Sequence, residues 1–274
     1  MKRKIIDSHT HTYPDAIAAR AAENLGNFYN FTVAESGTFS DLERCEREAG
    51  ITGFLLLPVA TSAKNVDKIN EAAAHQAEAA RADGFEAFAF GSMHRDCPDF
   101  RAGLEHCRKL GLRGIKLHPD LQGSDLDCVE LMPLYEAMQE MKMILWLHVG
   151  DAREQINASS PERVARIAEG FPALKIVAAH FGGYREWEKA EECLIGRFGN
   201  VYYDCSSSLW DMTPERGKYL IEKCGTDRVM FGSDYPAITP AVSLAEFLRL
   251  DLTEEVRDAV LYRNFMRIVA GSQE

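Results

Sequence analysis

The chain has 274 residues, 46% of them hydrophobic, which allows a full core within one domain spanning 1–274. A formal net charge of −11, with both signs mixed along the chain, excludes the usual signature of a nucleic-acid or anionic-membrane partner. Seven cysteines without a C-x-x-C pair read as reduced thiols of a cytoplasmic protein, and the longest apolar run, Ile51 to Ala60, is too short to span a membrane.

The first predicted strand is Lys4 to Asp7. Behind it stand His9 and His11, two residues apart, so an extended backbone turns both imidazoles to one side. The basic start, Met1 to Lys4, runs straight into this segment with no apolar signal region. A long connection, Thr12 to Gly50, carries Phe28, Tyr29 and Phe31 and reads as a lid over the site or as an extra helix with a surface loop. The second strand is Ile51 to Val59. Apolar residues at spacings of three and four from Val66 through Ile69, Ala73, Ala77 and Ala80 predict a helix. Strand three is Glu86 to Met93, followed by a helix near Phe100 to Leu110. Strand four is Leu112 to Leu117, and Val129 to Met141 the next helix. Strand five is Met143 to Val149. Ser160-Pro161-Glu162 opens a helix with Ser as cap and Pro in its first turn. Strand six is Leu174 to Ala179, then a helix over Glu186 to Phe198. Strand seven is Val201 to Asp204, and Thr213-Pro214-Glu215 opens another capped helix. Strand eight is Arg228 to Gly232, with closing helices at Val242 to Arg249 and Glu254 to Val269.

Eight short apolar strands alternating with helices predict parallel βαβ units and an α/β (β/α)8 TIM barrel. A doubly wound open sheet is the alternative, but no Gly-rich phosphate loop follows the first strand. In a barrel, chemistry sits at the carboxyl ends of the strands. Strand ends here carry His9 and His11, His94, Lys116 and His118, His148, His180 and Asp234. Only His75 and His106 fall in helices, where a solvated face explains them. Imidazoles with a carboxylate form a mixed nitrogen and oxygen set that suits catalytic Zn²⁺, and Mn²⁺, Fe²⁺ or Co²⁺ fit the same ligands.

The segments Asp7-Ser8-His9-Thr10-His11, Gly114 to Pro119, Trp146 to Gly150, Ala179 to Gly183 and Phe231-Gly232-Ser233-Asp234-Tyr235-Pro236 together resemble the amidohydrolase superfamily. The likeness covers nearly the whole chain and is strongest to the branch of aminocarboxymuconate-semialdehyde decarboxylase and related metal-dependent hydrolases. The resemblance implies that His9, His11, His148 and Asp234 are metal ligands. It implies that Asp234 also handles the proton of the activated water, and that His180 orients or deprotonates that water. One ion is expected. In two-metal relatives a carboxylated lysine at the position of Lys116 bridges the ions, and His148 and His180 then hold the second.

Lys116, His118, His94, Arg95 and Arg153 are cationic or potentially cationic groups at strand ends, so a small, carboxylate-containing substrate is expected. For Arg95 and Arg153 a surface-loop ion pair competes with substrate contact. Ser206 to Ser208 read as hydrogen-bond donors to substrate or as a helix cap, and Trp210 as pocket wall or core. Metal-dependent hydrolysis is the expected function. Non-oxidative decarboxylation of an unsaturated or aromatic carboxylate is the alternative, and a catalytically decayed ligand-binding barrel the alternative of another class. A homodimer stays open as partner state.

Overall fold

The structure, a computed structural model, describes residues 3–151, 153 and 157–271. Its strands are β1 (Ile6–Thr10), β2 (Gly53–Leu56), β3 (Glu86–Ala89), β4 (Gly91–Ser92), β5 (Gly114–Leu117), β6 (Ile144–Leu147), β7 (Ile176–Ala178), β8 (Val201–Asp204) and β9 (Val229–Met230). All pair in parallel, in chain order. β3 and β4 are two parts of one strand interrupted at Phe90, so the strands occupy eight positions. The last strand returns to the first: Ser8 N–H donates to Phe231 O at 2.9 Å, Asp234 N–H to His9 O at 2.9 Å, and Thr10 bridges Tyr235 in parallel. These bonds close the TIM barrel that the strand and helix alternation predicts.

The helices are α1 (Ala18–Tyr29), α2 (Phe39–Ala49), α3 (Val66–Ala82), α4 (Phe100–Lys109), α5 (Pro119–Gln122), α6 (Met132–Glu140), α7 (Pro161–Gly170), α8 (Trp187–Cys193), α9 (Pro214–Cys224), α10 (Pro240–Leu248) and α11 (Glu254–Asp258). The chain continues from α11 into wider π-helical turns at Ala259–Arg263 and Met266–Ala270. The long early connection holds two helices, α1 and α2, rather than one. Thr213 caps α9 by accepting from Arg216 N–H. Ser160 occupies the cap position of α7, but its hydroxyl makes no capping bond. No helix of the described residues is long and apolar enough to cross a membrane.

Two apolar layers hold the barrel. Ile6, Leu55, Phe90, Ile144, Trp146, Val177 and Met230 form the inner cluster, while a larger cluster lies between strands and helices. Strand alternation carries inward positions up to the polar end: Ile144, Trp146 and His148 on one strand, Met230, Gly232 and Asp234 on another. β1 breaks this rhythm. Asp7 pairs with Phe54 but Thr10 with Leu56, so β1 advances three residues against two. Such a bulge shifts the parity of the strand, which brings both Ile6 and His9 inside. The strand also runs further than Lys4 to Asp7, so His9 lies within it.

Candidate metal centre

His9 Nε2 and His11 Nε2 are 3.1 Å apart, and Asp234 Oδ1 lies 3.5 Å and 3.4 Å from them. The far nitrogens decide what the near ones carry. His11 Nδ1 is 2.5 Å from the carbonyl oxygen of Leu57, which only accepts, so Nδ1 holds the hydrogen. His9 Nδ1 is 2.9 Å from Asp204 Oδ2. Burial opposes ionisation of Asp204, but the His9 ring, His180 and the Ser206 hydroxyl hold it well below the usual carboxylate range, so it too accepts. Burial, with the charge of Lys116, lowers His9 to about 3 and keeps it neutral. Both Nε2 atoms therefore turn lone pairs toward each other and toward a carboxylate. Three such acceptor atoms within 4.8 Å of one another, with no hydrogen of their own to bridge them, fit a divalent cation.

His180 Nδ1 donates to the Ser206 carbonyl at 3.0 Å, leaving Nε2 to face His148 Nδ1 at 3.0 Å. His148 Nε2 lies 3.2 Å from the Tyr29 hydroxyl and 3.1 Å from the Gly150 carbonyl. His148 thus stands beside His180, outside the group formed by His9, His11 and Asp234. His118 stacks on it at 3.9 Å with 8° between the rings, and Tyr29 Oη is 2.9 Å from His118 Nε2. Burial pushes both His118 and His148 well below the usual histidine value, so neither brings a positive charge. Donor atoms of His118, Asp120 and His148 also cluster, but parallel rings aim their lone pairs side by side rather than at one point.

Three non-glycine residues at the cluster that also line the cavity described below hold positive φ: His180 at 59°, Ser207 at 49° and Asp234 at 69°. Such backbone costs about 1–3 kcal/mol each and collects at functional sites. Ser207 donates to Asp234 Oδ2 at 2.5 Å. Burial opposes ionisation of Asp234, yet the surrounding histidines hold it far below the ordinary range.

Several expected substrate contacts are placed elsewhere. Lys116 is fully buried with Nζ 3.1 Å from His9 Nε2, and it does not line the cavity described below. Burial lowers it to about 8, and its ammonium form competes with a metal for the His9 lone pair. His94 accepts from Asp96 N–H at 3.3 Å and lies off the cavity. Arg95 faces Asp96 at 3.8 Å, the ion-pair reading. Arg153 binds Asp151 through Nε and Nη2, donates from Nη1 to Phe28 O at 2.9 Å, and covers the Phe28 ring at 4.2 Å. It clamps the end of α1 instead of meeting substrate. His75 is exposed and His106 faces Glu71 at 3.6 Å. No cysteine is paired, and burial pushes Cys205 well above the usual thiol range.

The sequence reading passed over Asp204. Its carboxylate receives His9 Nδ1, Trp146 Nε1 at 3.0 Å and the backbone N–H of His180 at 3.2 Å. The signal was present, because Asp204 closes strand seven as the histidines close theirs.

A cavity of about 780 Å³, open to solvent, lies against this cluster. His11, His118, His148, His180 and Asp234 form part of its wall, and Tyr29, Phe31, Leu57, Trp210 and Val242 are among the rest. Fold and site together define a TIM-barrel protein with a histidine and aspartate centre at the carboxyl ends of its strands. The family model described as Amidohydrolase matches residues 6–269, and the chain belongs to that family.

Solved structures extend the likeness. An uncharacterized TIM-barrel protein from Bordetella bronchiseptica superposes with a TM-score of 0.77 at 20% identity, over 99% of this chain and 100% of that one. A 5-carboxyvanillate decarboxylase from Sphingomonas paucimobilis gives 0.72 at 15% identity, over 97% and 99%. A dihydroxybenzoic acid decarboxylase from a Polaromonas species, solved with manganese and the inhibitor 2-nitroresorcinol, gives 0.71 at 14% identity, over 99% and 98%.

Proposed function

We propose that the protein is a metal-dependent hydrolase whose ion is held by His9, His11 and Asp234. The observation that carries this reading is the convergence of two imidazole lone pairs and one carboxylate oxygen on a single point beside a cavity. A divalent ion bound there supplies a water acidified to a pKa of roughly 7 and a polarised substrate carbonyl. Zn²⁺ suits the donor set, and Mn²⁺, present in the Polaromonas enzyme, is the second choice. One ion per chain is expected. His148, 3.0 Å from His180, stands outside this three-atom set.

The protein's own groups handle the proton. Asp234, oriented by Ser207, takes it at Oδ1. His180 and His148, joined at 3.0 Å, hold or pass it on. Tyr29, kept protonated by burial and by nearby Asp120, donates a hydrogen bond to a substrate oxygen. A small-molecule carboxylate remains compatible with the centre, because its acid group can meet the ion itself.

Decarboxylation is the second reading. It is supported by the likeness to decarboxylases of aromatic acids and by the aromatic wall of the cavity. The test measures carbon dioxide against acid, alcohol or amine release over unsaturated carboxylates, lactones, esters and amides. Metal-dependent carbon dioxide release with no turnover of any ester, lactone or amide would replace the hydrolase by a lyase.

A further inference from the structure

We infer that the substrate is a bulky, largely apolar molecule with no second anionic group near its reacting end. The inference rests on the proposed metal centre and extends it to substrate class. The volume comes first: about 780 Å³ lies in the range of roughly 300–1,000 Å³ that buries drug-sized ligands. A small di-acid leaves most of that space to water held against apolar walls.

The wall chemistry agrees. Ile17, Trp210 and Val242 line the cavity while remaining 52%, 44% and 48% exposed. They are three of the six large hydrophobic side chains left exposed among the described residues. Apolar surface left open in one place marks a binding surface rather than chance. The charge distribution points the same way. Lys116, His94 and Arg153 do not line the cavity, and His118 Nε2 is engaged by the Tyr29 hydroxyl at 2.9 Å. Lys68 is the one lysine or arginine of the lining among the described residues, and it is exposed on α3. Of the cavity lining at the cluster the fixed charge is the carboxylate of Asp234, and Lys68 apart that lining offers no lysine or arginine among the described residues to pair with a second anion.

The test uses the metal-loaded full chain and calorimetric binding of hydroxamic acids, whose head group chelates a metal. The series runs from aceto- through butyro- and hexano- to octanohydroxamic acid, with succinic monohydroxamic acid as the anionic comparison. Affinity should rise about 3-fold for each added CH₂, as expected for methylenes entering an apolar site. Succinic monohydroxamic acid should bind at least tenfold more weakly than butyrohydroxamic acid. Ala72→Trp, a cavity-lining change on α3 outside the catalytic cluster, should flatten the chain-length dependence while leaving acetohydroxamic acid unaffected. A flat series in the unaltered protein, or tighter binding of the succinic compound, overturns the inference. If no hydroxamate binds, 1-octanol is titrated instead. Saturable octanol binding that Ala72→Trp removes keeps the apolar site and removes the metal reading alone, and no octanol binding removes the inference as well.

Discussion

Asp7, Asp204, Ser206, His11 and Lys116 all meet His9 and fix the direction of its ring. Its backbone N–H donates to Asp7 Oδ1 at 3.0 Å, its Nδ1 meets Asp204 and the Ser206 hydroxyl, and its Nε2 meets His11. Asp204 is the informative position to change. In Asp204→Asn an amide can donate to Nδ1, which moves the ring hydrogen to Nε2 and points it at the centre. Metal affinity should then fall about 10–100-fold, the scale found when a carboxylate behind a ligating histidine is lost; unchanged affinity by metal titration would show that the tautomer is not set there. His180→Asn should retain most of the metal and lose roughly 10²-fold or more in rate, as for loss of a general acid or base. Loss of half the bound metal would instead place a second ion at His180. The residue types and their strand-end positions were legible in the sequence. The direction of each ring nitrogen was not, because it depends on partners such as Leu57 O and Asp204, 46 and 195 residues away.

Elements place these residues through backbone features that composition hides. The bulge in β1 and the positive φ values at His180, Ser207 and Asp234 leave no mark in a hydrophobicity pattern. Gly232 shows the tolerance involved: a Cβ there would lie 2.9 Å from His9 Cβ and 3.2 Å from Ser206 Cβ. Gly232→Ala should therefore destabilise the fold by about 1–3 kcal/mol, the range for overpacking, and weaken metal binding as His9 shifts. Full stability and full metal affinity in that variant would deny the close packing. The long connection that holds α1 is the second case. Aromatics at 28, 29 and 31 hinted at a cover over the site, but for Arg153 an ion pair and a substrate contact competed in the sequence, and its hold on Phe28 had no sequence signal. Arg153→Ala should free the end of α1, raise KM more than it lowers kcat, and speed proteolysis within α1. A variant with unchanged KM and unchanged proteolysis would make the clamp irrelevant.

For the whole molecule, the alternation of strands and helices was enough to give the barrel, since each strand covered on both faces is a short apolar run. A buried acid pair beneath the site was not legible. Burial raises Asp7 to about 7, and burial with the nearby Asp7 raises Glu46 well above the ordinary carboxyl range. Both Glu46 oxygens and Asp7 Oδ2 are buried without a hydrogen-bond donor. Acids with raised folded pKa values bind more protons when folded, so their contribution is complete below about pH 4 and declines as pH climbs toward 7. Asp204 and Asp234 have lowered values and act oppositely, losing their contribution only as pH falls below about 4. Glu46→Gln should therefore lose less Tm than the unaltered protein between pH 5 and 8, both measured metal-free. An identical slope would mean that Glu46 ionises freely.

The most direct measurement is calorimetric titration of Zn²⁺ and Mn²⁺ into chelator-stripped protein, beside the doubly changed His9→Ala, His11→Ala chain checked by circular dichroism. The structure predicts one tight ion per chain in the first and none in the second, with the fold retained in both. Equal binding by the two proteins would contradict a centre built on His9 and His11.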